Sequence, residues 1–266
     1  MEAAASPSAP ASIERAPGSA VIAELLRVQE LAAPRTGLGR ILGVSPLNDE
    51  SRPWYLGALG EREVARRLEE LGPEWLVLHA VPVGERGSDI DHLVVSAAGV
   101  FTINSKFHED ARVWVGSRRL LVNGQKQDHL RNSRFEARRV ARILADLGSV
   151  PVSSVLAIVG AREITIREQP ADVAVIKATR LTKWLRRRPP VLDALTLESV
   201  RAAVTDPARW GTPPPFDPTA SERFAALQRE VKGAKLVRMA WGTALLVGLV
   251  GFGVAQGIPL FASYFG

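Results

Sequence analysis

The sequence contains no cysteine. This excludes a disulfide framework, thiolate zinc sites and a cysteine nucleophile. With only 4 histidines, a multi-histidine metal centre would consume almost all of them. Acidic residues are outnumbered: 28 Asp+Glu face 34 Lys+Arg, a formal charge of +6. A basic excess points towards an acidic partner, either nucleic acid or anionic lipid. Apolar and charged residues stand at 46% and 23%, ordinary globular values that exclude a wholly disordered or fibrous chain. The 266 residues suit one domain with appendages, or two small domains.

Residues 1–18 have almost no large apolar side chains and cannot build a core, so disorder is expected there. They also lack the basic and apolar regions of a signal peptide. Residues 19–32 (SAVIAELLRVQELA) place apolar side chains at helical spacing and predict a short amphipathic helix. At the other end, Met239 to Gly266 carries no charge at all. About 20 apolar residues cross a bilayer core of about 30 Å, and a transmembrane helix is expected over 236–262, despite Gln256 and Pro259. The six glycines from Met239 to Gly266 would weaken a buried helix in water. Lys232, Lys235 and Arg238 precede it and no charge follows. The positive-inside rule then puts the N-terminal bulk in the cytoplasm, anchored by one span. Trp241 and Tyr264 suit the two interfaces. Gly253 and Gly257 form a single GxxxG, which leaves the oligomeric state open.

Gly211 to Pro218 (GTPPPFDP) reads as an extended linker, followed by a juxtamembrane helix over 219–235. The folded domain is expected over 52–210. Within it, helices are predicted near 58–71, 127–147, 182–188 and 196–204. Strands are predicted at 75–83, 89–95, 100–107, 152–159, 164–167 and 173–176, with a hairpin over 112–122 and a turn at Asn123-Gly124. The expectation is an α/β fold, a mixed β-sheet flanked by helices on both faces.

Polar residues concentrate at strand positions in Asp89-Ile90-Asp91-His92 and in Asn104-Ser105-Lys106. Side chains alternate along a strand, so Asp89 and Asp91 share a face, as do Asn104 and Lys106. Strand carboxylates beside a lysine suit a divalent cation and a water next to a phosphodiester. Oxygen donors favour Mg2+ or Mn2+. From Arg112 to Arg142, nine basic residues face Asp128 and Glu136, a net +7. Arg131, Arg134, Arg138 and Arg142 recur at three and four residues, forming one helical stripe that can follow a phosphate backbone. A second basic run, Arg180 to Arg188, suits anionic lipid. Trp184 within it reads as a core residue.

Gly60-Glu61, Gly87-Ser88-Asp89-Ile90-Asp91-His92 and Gly99 to Lys106 (GVFTINSK) together resemble the NERD, or nuclease-related, domain. The resemblance continues through Val122-Asn123-Gly124 and Arg131-Asn132-Ser133-Arg134, covering about 55–205. It implies a restriction-endonuclease-like fold of the PD-(D/E)xK superfamily. By this resemblance Asp91 is the metal-binding strand aspartate, Lys106 the catalytic lysine, and Glu61 the helix acid completing the site. Asp89 and His92 stand beside these residues; His92 is expected either to contact a phosphate or a bound water, or to be a hydrogen-bonded structural histidine. One position departs from the pattern: Asn104 stands where an acid is expected two residues before the lysine. An amide oxygen can ligate Mg2+ or Mn2+ but brings no charge. Either Glu63, Glu109 or Glu136 supplies the missing acid, or the domain keeps the fold as a scaffold that binds nucleic acid or anionic lipid without cutting.

Overall fold

The computed structural model describes residues 15–83, 89–212 and 217–264. Most of the expected N-terminal disorder, Gly87-Ser88 of the motif and the centre of the Pro-rich linker lie outside these. Helices α1 (Ser19–Glu30), α2 (Gly37–Ile41) and α3 (Ser51–Leu68) come first. Strands β1 (Leu76–Pro82), β2 (Asp89–Ser96), β3 (Gly99–Phe107), β4 (Arg112–Val115), β5 (Leu120–Val122) and β6 (Gln125–Gln127) follow. Then come α4 (His129–Ile143), β7 (Val152–Val159), β8 (Glu163–Ile166), β9 (Val173–Lys177), α5 (Leu181–Leu185), α6 (Ala194–Thr205) and α7 (Ala220–Tyr264). The chain divides into two compact units, Met1–Glu24 with Pro53–Asp217, and Leu25–Arg52 with Pro218–Gly266.

In the first unit the strands form two sheets, where one was expected. The larger runs β1-β2-β3-β7-β9, antiparallel across β1, β2 and β3 and parallel across β3, β7 and β9. The smaller runs β6-β5-β4-β8. Asn123 and Gly124 both take positive φ (49° and 83°), the geometry of a tight hairpin turn, and this closes β5 onto β6. Strand β6 has the sequence Gln-Lys-Gln, so hydropathy gives no sign of it.

Helices cover both faces of the larger sheet. On one face Leu93, Val95 and Val100 bury against Val140 and Leu144 from α4 and its end, and Val200 and Val204 of α6. On the other, Val94, Phe101 and Ile103 bury against Val64 and Leu68 of α3 and Leu181 and Leu185 of α5. Trp184 packs edge-on against Phe101 in this layer, with the Arg188 guanidinium 4.5 Å above its ring. Part of the second basic run thus serves packing. Helix α3 begins at Ser51, earlier than the apolar spacing predicts. Asn48 Oδ1 accepts from the Ser51 amide while Ser51 Oγ accepts from the Asn48 amide, and Pro53 sits in the first turn, where its missing N–H costs nothing.

In the second unit, α7 is one continuous helix of 45 residues, joining the expected juxtamembrane helix to the apolar run. Its N-terminal half is partnered: Phe224, Leu227 and Ala234 are buried, as are Leu25, Leu26 and Val28 of α1. Arg223 pairs with Glu30, and Arg35 with Glu230 at 2.8 Å. From Met239 to Phe252 the large apolar side chains are exposed, Leu249 at 70%. The stretch is long and apolar enough to be a candidate membrane span.

Candidate active site

Strands β2 and β3 are joined by a turn at Ala97-Ala98, and their register sets His92 opposite Ile103. Alternation from that pair puts Asp89, Asp91, Asn104 and Lys106 on one face and His92, Ile103 and Ser105 on the other. The first face lies under α4. There Asn104 Nδ2 donates to Glu136 Oε1 at 2.5 Å. Glu136 lies half-buried among the inward positions of α4, between Ser133 and Val140.

Glu61 arrives from the opposite helix layer, at the end of the strands. A Cβ at Gly60 would stand 3.2 Å from Phe107 Cβ. A bare glycine lets α3 approach the end of β3, and the next residue is Glu61. Opposite Asp91 in the register lies Ala80, whose φ of +48° twists β1 out of the regular ladder beside the site. Arg15 Nη1 donates to the Ala80 carbonyl at 3.3 Å.

The charges are crowded and dry. Glu61 and Asp91 are 4% and 8% exposed. Burial pushes the Glu61 carboxyl well above its usual range, with Asp91 and Asp89 adding to the rise and Lys106 opposing it. Burial also raises Asp91, against the pull of Lys106 and the Ser105 amide, which donates to Asp91 Oδ2 at 2.6 Å. Asp89 is raised to about 6 by burial and then by Asp91, with Arg15 opposing. Glu136 is raised to about 8 by burial and then by Asp91, with Lys106 opposing. The Lys106 charge therefore acts on all four acids.

The donor set fits a divalent cation in composition. Among the described residues, Glu61 Oε2, Asp89 Oδ2, Asn104 Oδ1 and Glu136 Oε2 are buried without a hydrogen-bond partner. Buried polar atoms are rarely left so, and hard oxygen donors of this kind suit Mg2+ or Mn2+. The site is not a finished cage. Among the described residues, no three acidic or imidazole side chains already converge on one point. Neighbouring carboxylates repel, and holding protons relieves the repulsion without drawing them together.

Of the three acids weighed for the place Asn104 leaves, only Glu136 is brought to it. Glu63 is tied to Arg66 and Arg67 on the surface of α3. Glu109 is exposed, and its charge acts on Tyr55. His92 lies behind the acids. It is fully buried, with Nδ1 2.8 Å from His79 Nδ1 and Nε2 3.2 Å from Ser105 Oγ. Burial holds its pKa well below the usual histidine value. It supports Ser105, whose amide in turn fixes Asp91. The basic stripe lies on the outer face of α4. Arg131 pairs with Asp128 at 3.0 Å and Arg134 with Asp172 at 2.7 Å. Arg138 and Arg142 are exposed and donate to backbone carbonyls one turn back.

A mixed sheet with acids and a lysine on its second and third strands, overhung by further acids from helices on either side, makes this an α/β domain with a buried acid cluster beside one lysine. Residues 56–159 match the family model of NERD, the nuclease-related domain. The matched segment runs from α3 to the end of β7 and contains every acid of the site. Comparison with curated proteins and with solved structures gives no match.

Proposed function

We propose that this protein is a membrane-anchored, Mg2+- or Mn2+-dependent phosphodiesterase that acts on DNA. The observation that carries this reading is the crowding of Glu61, Asp89, Asp91 and Glu136 around Lys106, with four buried oxygens left unpartnered. Glu61, Asp91, Asn104 and Glu136 would hold the cation, with Asp89 beside them. When bound, the cation supplies charge neutralisation at the phosphoryl group and lowers the pKa of water. Glu136 restores the negative charge that Asn104 lacks. Asn104 orients Glu136 through its amide while keeping its own carbonyl oxygen free. Lys106 neutralises part of the acid cluster and is placed to hydrogen-bond a water or a phosphate oxygen. Arg138 and Arg142 supply sequence-independent attraction for the DNA backbone. Helix α7 anchors the chain, and the charges at Lys232, Lys235 and Arg238 favour a cytoplasmic position for the nuclease-related domain.

Plasmid nicking by the full chain in lipid nanodiscs, with and without Mn2+, tests this. Cutting is expected with the cation only, and it is expected to be lost in Asp91→Ala, Lys106→Ala and Glu136→Ala. A parallel titration should show Mn2+ raising the melting temperature of the parent and not of Asp91→Ala. The second reading is a binding scaffold, favoured because, among the described residues, no three acidic or imidazole side chains converge on one point. DNA binding that survives all three substitutions, with no cutting by the parent, would establish it.

A further inference from the structure

In the second unit a short loop is built to expose apolar side chains at a fixed height on α7. Leu38, Ile41, Leu42 and Val44 are 66%, 61%, 47% and 51% exposed. A flexible loop could turn such residues inward, but this one is held. Thr36 Oγ1 caps α2 by accepting from the Gly39 amide at 3.0 Å. The Val44 amide returns to the Gly39 carbonyl at 2.8 Å. Arg35 bonds the Val44 carbonyl at 2.8 Å while pairing with Glu230 of α7.

The loop is also seated against α7. Trp241 Nε1 donates to the Ile41 carbonyl at 2.8 Å. Gly43 is buried with φ +70°, and a Cβ there would lie 2.6 Å from the Ala234 carbonyl and 2.7 Å from the Arg238 amide. The loop therefore stands beside residues 234–241. The helix loses its charges within that stretch, the last being Arg238, and exposed apolar residues continue beyond it from Met239 to Phe252. The apolar loop residues are thus continuous with the apolar surface of the candidate span. Arg40, Lys232, Lys235 and Arg238 are exposed around the same level, and a tryptophan sits at the junction, where its amphipathic ring prefers the headgroup region.

We infer that the loop over residues 37–44 is a second membrane contact, inserted into the interfacial layer of an anionic bilayer beside the span. Leu38, Ile41 and Leu42 enter the upper acyl region, and Arg40 with the three cations of α7 meets lipid phosphates. Its effect on function is to hold α7 against the loop at a set depth, so that the chain is fixed by two contacts and not by one flexible tether. This inference rests on reading α7 as a membrane span.

The chain has no cysteine, so single cysteines give unambiguous labelling sites. The full chain carrying Ile41→Cys, Leu245→Cys or Glu222→Cys is labelled with an environment-sensitive fluorophore. Each is reconstituted into phosphatidylcholine–phosphatidylglycerol vesicles containing a shallow spin-labelled lipid. The expected result is strong quenching at 245, comparable quenching with a blue-shifted emission at 41, and severalfold weaker quenching at 222. Adding Leu38→Asp with Leu42→Asp should abolish the quenching at 41 and leave that at 245. A label at 41 that behaves like the one at 222, while 245 is quenched, overturns the loop's role and leaves the span standing. A label at 41 shielded from aqueous iodide but untouched by the lipid quencher points to a protein partner and overturns it too. Absence of quenching at 245 removes the membrane reading itself, and the inference with it.

Discussion

At the residue scale the central fact is the exchange between Asn104 and Glu136. A glutamate at 104 would press a second carboxylate against Glu136, where the asparagine amide now donates a hydrogen bond. Placing an acid at 104 alone is therefore expected to harm the protein. Asn104→Glu should destabilise the cation-free fold by about 1–3 kcal/mol, the typical cost of a buried polar group losing its partner. Asn104→Glu combined with Glu136→Gln should recover most of that loss, because the donor and acceptor simply change places. Chemical denaturation of the parent, both singles and the double variant checks this, and additivity of the two changes would refute the pairing.

The same acids set a pH dependence. Asp89 and Glu136 hold protons more tightly folded than unfolded, with folded values of about 6 and about 8. Between the ordinary carboxylate range and those values the native state binds the extra protons. Stability therefore falls as pH rises through that window, by up to about 1.4 kcal/mol per pH unit for each group. The cation-free chain is expected to melt at a higher temperature at pH 5 than at pH 8. Saturating Mn2+ should flatten or reverse the trend, since a cation favours the ionised acids. A scan of melting temperature against pH, with chelator and with Mn2+, measures both.

At the element scale, two glycines decide placement. Gly60 lets α3 approach Phe107 and so delivers Glu61, while Gly43 lets the 37–44 loop approach the backbone of α7. Gly43→Ala should cost about 1 kcal/mol for the left-handed backbone alone, plus the clash with the Ala234 carbonyl and the Arg238 amide. It is expected to free the loop, raising hydrogen exchange at Val44 and Leu42 without changing exchange in β2 and β3. Much of this scale was legible in the sequence. The short apolar runs of β2, β3 and β7 and the helical spacing of α4 mark those elements directly, because the strands are covered on both faces and the helix buries one. Strand β6 was not legible, since Gln-Lys-Gln pairs by its backbone and buries little. The early start of α3 was legible only as chemistry, in Asn48 and Pro53, where apolar spacing is silent.

At the scale of the whole molecule, charge is concentrated and not spread. Arg131 and Arg134 are partly neutralised by Asp128 and Asp172, so Arg138 and Arg142 should dominate any phosphate contact. Arg138→Ser with Arg142→Ser is expected to weaken DNA binding severalfold at low salt. The slope of log affinity against log salt should fall by about one per residue removed, where each neutralises one phosphate. Equal losses from removing Arg131 and Arg134 would show that the whole stripe is engaged. Binding isotherms across a salt series distinguish the two. Removing residues from Met239 onward should move the chain from the membrane fraction to the soluble one.

The sequence by itself carried the chain's apolar end, its dominant basic segment and the strand pair bearing Asp91 and Lys106. These are local properties, carried by runs and periods that a linear reading sees. It named Glu136 as one of three acids able to stand in for a missing one. Only the tertiary structure chose among them, because the choice depends on which helix crosses above Asn104, a matter of packing between residues 32 apart in sequence. The structure likewise set His92 behind the acids, paired half of the arginine stripe, and brought residues 37–44 beside Trp241, some 200 residues away in the chain. Contacts of that separation leave no periodic trace in the sequence, since each is fixed by how whole elements pack and not by the order of neighbouring residues.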